Sequence, residues 1–214
     1  MYLIFDTETT GLPKNFNAPI SDTENWPRVV QIAWQLHDEW GVLLEQKDFI
    51  IRPADFNIPF ESENIHGIST ELANMVGEEL EDVLFLFKKA IQKANFIIGH
   101  NVGFDLKVMG CEFHRLEEEA PFDKPILDTC TEATAELLKL PGGKGGKFKL
   151  PTLTELNVFL FQQAFEEAHN ATADVEATTR CFLELIRLGN FSEESLVCGA
   201  DYLSKFREVN STSI

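Results

Sequence analysis

The alternation of apolar and polar positions along the 214 residues predicts a chain in which strands and helices are mixed. Short apolar runs between turn residues indicate strands, whereas apolar side chains that recur every three or four positions indicate helices. We predict strands at 2–6, 28–37, 42–51, 95–99 and 126–129. We predict helices at 69–76, 79–93, 103–117, 130–139, 152–160, 172–188 and 190–207, followed by a disordered tail at 209–214.

The order of these elements predicts an α/β fold with a central mixed sheet of five strands flanked by helices. The first three strands follow one another, with a hairpin turn at 39–41, and should form an antiparallel meander. The later strands alternate with helices and should extend the sheet in parallel, which makes the first strand central. We expect one domain at 1–188, with a C-terminal helix and flexible tail at 189–214.

The first predicted strand ends in two acids, Asp6 and Glu8. Because side chains alternate along a strand, both carboxylates should lie on one face. Carboxylates held side by side on an apolar strand repel each other and lose hydration, at a cost on the order of several kcal/mol unless a cation compensates. A divalent metal ion bound by both carboxylates would offset this repulsion and loss of hydration. The short pattern fits equally a solvated strand end whose acids cap nearby amides.

A third acid, Asp105, should lie in the first turn of the helix that begins near Gly103. The amide dipoles at a helix N-terminus favour a negative side chain and keep its pKa low, which suits a permanent metal ligand. The alternative is an acid that only stabilises its own helix.

The third motif contains His169 and Asp174, and it precedes a strongly periodic helix that either Asn170 or Thr172 could cap. Five residues of helix rotate by roughly 500 degrees, so a fully helical segment would point the two side chains apart. We therefore expect His169 on the preceding loop, where an imidazole with a pKa near neutrality suits proton transfer. The alternative is a surface histidine without a role.

Together the three motifs resemble those of the DEDDh exonucleases. This DnaQ-like family includes the proofreading epsilon subunit of DNA polymerase III, RNase T and oligoribonuclease. Its first motif corresponds to residues 6–12, its second to 100–105, and its third to His169 and Asp174. A related branch has tyrosine four residues before the last acid, where this chain has Asn170. The absence of tyrosine at this position favours the histidine branch, and the resemblance covers roughly residues 1–188.

The resemblance implies an RNase H-like fold and a hydrolase that releases nucleoside monophosphates from the 3' ends of single-stranded DNA or RNA. Two Mg²⁺ or Mn²⁺ ions would be held by four carboxylates, and His169 would be the general base. Magnesium prefers hard oxygen ligands, which agrees with an all-carboxylate site. The metal ligands implied are Asp6, Glu8, Asp105 and Asp174.

The same resemblance implies four residues that bind substrate. Thr9 would contact the terminal nucleotide, and Leu12 would wedge against its base. His66, in the segment 65–69, would help to hold that nucleotide, and Asn101 would lie near the scissile strand. Leu12 could equally cap the core, and His66 could equally order a turn.

The net charge of −17 argues against tight nonspecific binding of duplex nucleic acid, because cations supply most of that affinity. An exonuclease that binds only a few terminal nucleotides through metal ions needs no broad basic surface. Four cysteines without a C-x-x-C pair, and a first strand without a charged leader, lead us to expect a reduced, cytoplasmic protein. No apolar run approaches 18 residues, so we expect no membrane span.

Two segments lie outside the motifs. Residues 14–28 form a long, proline-containing connection that could be a flap over the substrate or a contact for a partner. Residues 139–149, which we call the lysine–glycine loop, combine four lysines with four glycines. This loop could follow a phosphate backbone or be a solvated connection between helices.

A DNA exonuclease in proofreading or repair is the leading hypothesis, and three alternatives remain open. The first is an enzyme that trims RNA or short oligoribonucleotides, since discrimination of the 2'-hydroxyl depends on the shape of a pocket. The second is a catalytically silent module that associates with a DNA polymerase. The third is an acidic mimic of DNA, which leaves the motif spacing unexplained.

Overall fold

Five strands form the sheet of the computed structural model, which describes residues 1–163, 169–192, 194–196 and 201–211. The spatial order is β3-β2-β1-β4-β5, with β1 in the middle. The first three strands are antiparallel to one another, whereas β4 is parallel to both β1 and β5. The predicted mixed sheet is therefore confirmed. The strands are β1 (Tyr2–Thr9), β2 (Val29–His37), β3 (Leu43–Ile50), β4 (Phe96–Gly99) and β5 (Ile126–Asp128).

Eight α-helices surround this sheet in the described part of the chain, with a single 3-10 turn at Lys144–Gly146. The prediction missed the first helix, because seven residues give too few turns for a periodic pattern, and Pro59 precedes it without a side-chain cap. The helices are α1 (Phe60–His66), α2 (Thr70–Val76), α3 (Leu80–Lys93), α4 (Gly103–Arg115), α5 (Glu132–Leu138), α6 (Leu153–Phe161), α7 (Ala171–Leu188) and α8 (Tyr202–Val209).

The helix predicted at 190–207 is wrong in its first part. Gly189 adopts a left-handed conformation with φ of 78° and ends α7, and residues 190–192 are not helical. The next helix, α8, begins only at Tyr202. Of the tail predicted at 209–214, Val209 is the last residue of α8, and Asn210 donates to the Trp40 carbonyl at 3.1 Å. Residues 193, 197–200 and 212–214 lie outside the described residues.

The two faces of β1 contribute to different halves of the core. Leu3 and Phe5 pack in a cluster that includes side chains of α3 and α4. Tyr2 and Ile4 pack in a second cluster with side chains of α6, α7 and α8, in which Phe206 of α8 is fully buried. The alternation of side chains along one strand thus fixes which helices lie on each side of the sheet.

Strand β1 extends beyond its neighbour β4, whose last paired position with β1 is Ile98 opposite Ile4. The chain then turns sharply at Gly99, where an added Cβ would lie 2.7 Å from Cγ2 of Val102. Only glycine leaves room for this turn, because real Cβ atoms do not approach so closely. As a result, the first turn of α4 lies beside the end of β1.

None of the helices in the described residues has the length and apolarity of a transmembrane span.

Candidate active site

Asp6 and Glu8 lie on the part of β1 that extends past β4, on the same face as Ile4. Both carboxylates are only partly exposed. Glu8 lies opposite Gln31 of the neighbouring strand β2, and the register of the β1–β2 pairing shifts between Glu8 and Thr9. The face that is apolar near the start of the strand therefore becomes acidic where the strand emerges from the core.

Asp105 reaches the same region from the first turn of α4, and only 5% of its surface is exposed. Its Oδ1 accepts a hydrogen bond from the Thr7 amide at 3.1 Å and another from the Thr7 hydroxyl at 2.5 Å. The low pKa that we predicted from the helix dipole is wrong for the protein without metal. Burial raises the pKa of Asp105 to about 7, although the bonds from Thr7 act to lower it.

The third motif adopts the arrangement that helix geometry predicts. Asn170 caps α7, and its side chain accepts hydrogen bonds from the amides of the next turn. His169 precedes the cap with φ of 72° and is exposed, while its amide donates to Oδ2 of Asp174 at 3.1 Å. Candidate ligand atoms of Glu8, His169 and Asp174 all lie within 4.8 Å of one another.

Burial raises the pKa of all four acids of the site, and neighbouring acids add to the shift for Asp6 and Glu8. Burial raises the pKa of Glu8 to about 8, and the charges of Asp174 and Asp105 add to this shift. Burial also raises the pKa of Asp6 well above its usual range, with further contributions from the other three acids. The pKa of Asp174 is raised by burial and lowered by the amide and charge of His169. Such a cluster of oxygen donors fits hard divalent cations, which would remove the repulsion.

Two of the four substrate-binding candidates, His66 and Thr9, are buried. His66 is 8% exposed, and its Nδ1 accepts the amide of Ile68 at 3.1 Å. Burial lowers the pKa of His66, and an interaction with the backbone of Thr9 partly offsets this. Thr9 is itself buried and donates its hydroxyl to the Gly11 carbonyl at 2.7 Å. His66 therefore orders the turn that follows α1 through its bond with the Ile68 amide.

The other two candidates are exposed. Leu12 is 75% exposed, so it does not cap the core and its side chain is available to a ligand. Asn101 lies just before α4 in a left-handed conformation with φ of 60°. Both residues flank the acids along the chain, because Leu12 follows β1 and Asn101 precedes Asp105.

The motifs did not reveal Asp128, an acid at the end of β5 that orders the loop before α4. Its Oδ1 accepts the amides of Asn101 at 2.8 Å and Cys130 at 2.7 Å, and its Oδ2 accepts the amide of Val102 at 3.1 Å. The sequence feature that could have identified Asp128 is its position at the end of a short apolar strand, which is similar to the positions of Asp6 and Glu8 on β1.

Gln31 is a second supporting residue that the motifs did not reveal. Its Oε1 accepts the amide of Ala171, the first residue of α7, at 3.2 Å, and its Nε2 donates to Asp48 at 2.8 Å. Gln31 therefore connects β2, which pairs with Glu8, to the start of the helix that carries Asp174.

The long segment 14–28 lies along α4. Lys107 donates to the Phe16 carbonyl at 2.7 Å, and Arg115 donates to the Thr23 carbonyl at 2.7 Å. Near the end of the segment, Arg28 pairs with the fully buried Glu112 at 3.0 Å. These contacts, all made with residues of α4, hold the segment against that helix.

Comparisons with known proteins agree with this geometry. A family model described as RNase T, exonuclease, matches residues 3–182. A DNA polymerase III PolC-type protein of Lacticaseibacillus paracasei is 29% identical over 179 residues, which cover 83% of this chain and 11% of the relative. A DNA polymerase III subunit epsilon-like protein of Rhodobacter capsulatus is 32% identical over 190 residues, which cover 86% of this chain and 23% of the relative. The chain thus spans only a minor part of these relatives.

Solved structures share the fold. Escherichia coli Exonuclease I in complex with a dT13 oligonucleotide superposes with a TM-score of 0.68 at 22% identity, over 92% of this chain and 42% of that chain. The zinc ion bound form of an Exonuclease I complex with single-stranded DNA gives a TM-score of 0.67 at 25% identity, over 87% and 40% of the two chains. The predicted RNase H-like fold is therefore confirmed.

A mixed sheet whose central strand ends in converging acids defines a class of hydrolases that cleave phosphodiester bonds. With the match to the family model over residues 3–182, the chain belongs to the RNase T exonuclease family, whose members are DnaQ-like 3'-to-5' exonucleases.

Proposed function

We propose that this protein is a metal-dependent exonuclease that hydrolyses single-stranded nucleic acid from the 3' end and releases nucleoside monophosphates, with DNA favoured over RNA. The observation that carries the proposal is the convergence of four mutually repelling acids with His169 at the end of β1. The neighbouring Exonuclease I structures, which hold single-stranded DNA oligonucleotides, support the choice of substrate.

The donor set fits two Mg²⁺ or Mn²⁺ ions. Asp6, Glu8, Asp105 and Asp174 would hold them, because four carboxylates balance two divalent charges and offer only oxygen ligands. When bound, the ions supply charge neutralisation at the scissile phosphate and activation of the attacking water. The raised pKa values of Asp6 and Glu8 reflect the cost of holding these carboxylates in the charged form without the metal ions.

The protein's own groups orient this chemistry. Thr7 fixes one oxygen of Asp105, and the amide of His169 fixes one oxygen of Asp174. The exposed His169 side chain takes the proton from the attacking water as general base, a role that contributes roughly 100-fold to 10,000-fold in rate. The loop position lets the imidazole approach a substrate that also contacts the acids.

The terminal nucleotide is bound next to β1. Thr9 contacts its sugar, and the exposed Leu12 packs against its base. Asn101 contacts the strand on the α4 side. These roles follow the family motif and agree with the positions of the four residues around the acids.

A proofreading role in association with a DNA polymerase is part of the proposal, because the similar proteins include DNA polymerase III chains. Excision would then be faster from a mismatched primer end, which is unpaired, than from a matched end. Equal rates on the two primers would remove proofreading from the proposal while leaving exonuclease activity.

The decisive experiment follows a single strand labelled at its 5' end, with Mg²⁺, with Mn²⁺ and with chelator. The wild type should produce progressively shorter labelled strands only with metal, and Asp6→Asn should produce none. Matched DNA and RNA strands determine the sugar preference, and a blocked 3' end should prevent the reaction. Equal hydrolysis by the wild type and Asp6→Asn, or no metal-dependent product from either sugar, would overturn the proposal.

A further inference from the structure

A cleft of about 600 Å³ separates α5 from the lysine–glycine loop and lies outside the cluster of acids. Ala133 of α5, Phe148 of the loop and Leu150, which directly follows the loop, form apolar parts of its wall. Phe148 is only half-buried, so its ring remains partly available to a ligand. The cleft therefore combines an accessible aromatic ring with a volume that admits a flat organic group.

Polar contacts hold the lysine–glycine loop and the residues directly after it close to α5 and to the segments that follow β4 and β5. The two ring nitrogens of His100, which directly follows β4, contact the Thr129 hydroxyl at 2.9 Å and the Pro151 carbonyl at 3.0 Å. Lys147 pairs with Glu132 at the start of α5, and that helix begins soon after β5. Because β4 alone separates β5 from β1, two strand spacings, or roughly 10 Å, separate Leu127 of β5 from Ile4 of β1, which lies two residues before Asp6.

The lining of the cleft has a small excess of lysines over acids, in a protein that is acidic as a whole. Its lining contains three lysines and two glutamates, whereas the whole chain has a net charge of −17. Lys147 pairs with Glu132, and Lys149 pairs with Glu155 at 2.6 Å. Across residues 1–163, 169–192, 194–196 and 201–211, no acid forms an ion pair with the exposed Lys144. Its ammonium group is therefore available for an anionic ligand.

We propose that this cleft binds the part of the single strand upstream of the terminal nucleotide, with a base against Phe148 and a backbone phosphate beside Lys144. The proposal rests on the exonuclease function proposed above and adds a second contact for the same substrate. An aromatic face stacks on any base, and a lysine attracts any phosphate, so the cleft selects for strand length and not for sequence. The glycines around Lys144 let the loop adjust to the backbone.

The test compares a dinucleotide, which ends near the acids, with a single strand of about ten nucleotides that also reaches the cleft. KM and kcat are measured on both for the wild type, Lys144→Gln and Phe148→Ala. The matched control for charge is Lys205→Gln, at an exposed position of α8. The matched control for the aromatic ring is Phe85→Ala, because Phe85 of α3 is 58% exposed.

We expect each cleft variant to raise KM for the longer strand about 10-fold, with kcat and both parameters for the dinucleotide unchanged. Lys144→Gln should also reduce the slope of log KM against log salt by about 0.7, the value for one lost phosphate contact on a single strand. The control variants should match the wild type. Unchanged KM for the longer strand in both cleft variants would overturn the cleft proposal while the exonuclease assignment stands. A wild type that hydrolyses neither substrate would instead overturn the proposed function itself.

Discussion

Thr7 ties Asp105 to the central strand through two hydrogen bonds to the same carboxylate oxygen, one from its amide at 3.1 Å and one from its hydroxyl at 2.5 Å. Thr7 lies between Asp6 and Glu8 in the sequence, but its side chain points to the opposite face of β1. The strand therefore presents two acids on one face and positions a third acid from the other. The short sequence Asp-Thr-Glu contributes to the site with all three of its residues.

Substituting Thr7 should weaken metal binding without unfolding the protein. Thr7→Val keeps the shape of this buried side chain but removes the hydroxyl, and hydrogen bonds to charged groups contribute about 1.5–3 kcal/mol. We expect the half-saturating concentration of Mg²⁺ in the nuclease assay to rise about 10-fold or more. Thr7→Ser, which retains the hydroxyl, should stay close to the wild type. An unchanged Mg²⁺ requirement in Thr7→Val would show that the amide alone positions Asp105.

The raised pKa values of the acids predict that the metal-free protein loses stability as the pH rises. An acid whose pKa is higher in the folded state than in the unfolded state binds more protons when folded, so its contribution falls as the pH rises toward the folded pKa. For Glu8 this window extends from about pH 4.3 in the unfolded chain to a folded pKa of about 8. His37, His66 and His100, whose pKa is lowered, act in the opposite direction below about pH 6.5.

The measurement is therefore made between about pH 7 and about pH 8, where those histidines are largely neutral in both states. With chelator, Tm should fall across this range, and Glu8→Gln should fall less because it has no charge to bury. Saturating Mg²⁺ should raise Tm most at the upper end, since deprotonated carboxylates bind metal best. A Tm that is flat with chelator, or equal slopes for the wild type and Glu8→Gln, would contradict this account.

The contrast between Asp105 and His169 shows what the sequence could and could not predict. For His169, the angle between successive helical residues was enough to exclude a position inside α7, and the structure places it before the cap. For Asp105, the position in α4 was also correct, but its pKa was not. Asp105 is buried against Thr7 of β1, which is distant in sequence. The helix dipole alone therefore predicted a lowered pKa, whereas burial raises it.

Asp128 and the lysine–glycine loop show the same limit. The sequence identifies their charges but not the groups that face them, because those groups come from other elements. Asp128 accepts amides of the loop before α4, and two of the loop lysines are paired with Glu132 and Glu155. Strand order was predictable, since consecutive strands favour a meander and intervening helices favour parallel pairing.

Replacing His169 should separate catalysis from metal binding. His169→Gln keeps a polar side chain on the loop but removes the proposed general base, so kcat should fall about 100-fold to 10,000-fold. The half-saturating concentration of Mg²⁺ should change little, because the four acids remain. His114→Gln, on the exposed surface of α4, is the matched control and should behave like the wild type. A parallel rise in the Mg²⁺ requirement would instead identify His169 as a metal ligand, which its proximity to Glu8 and Asp174 also permits.

The buried ion pair beside the active site predicts a large effect on stability. Glu112 of α4 has no exposed surface and accepts hydrogen bonds from Nε of Arg28 at 3.0 Å and the amide of Val29 at 2.9 Å, while Arg115 also pairs with it at 3.0 Å. Removing one partner of a buried pair leaves the other charges uncompensated and costs about 3–5 kcal/mol. Glu112→Ala should therefore lower the free energy of unfolding by about 3 kcal/mol in urea denaturation.

The matched control is Glu118→Ala, because Glu118 pairs with Lys88 at 2.9 Å with its side chain 49% exposed. Surface pairs contribute about 1 kcal/mol or less, so this variant should denature close to the wild type. Since Arg28 also ends the segment 14–28, loss of Glu112 should release that segment from α4 and accelerate limited proteolysis within it. Equal stability of the two variants would show that the arginines are satisfied by solvent, and that the segment is held by its backbone contacts to Lys107 and Arg115.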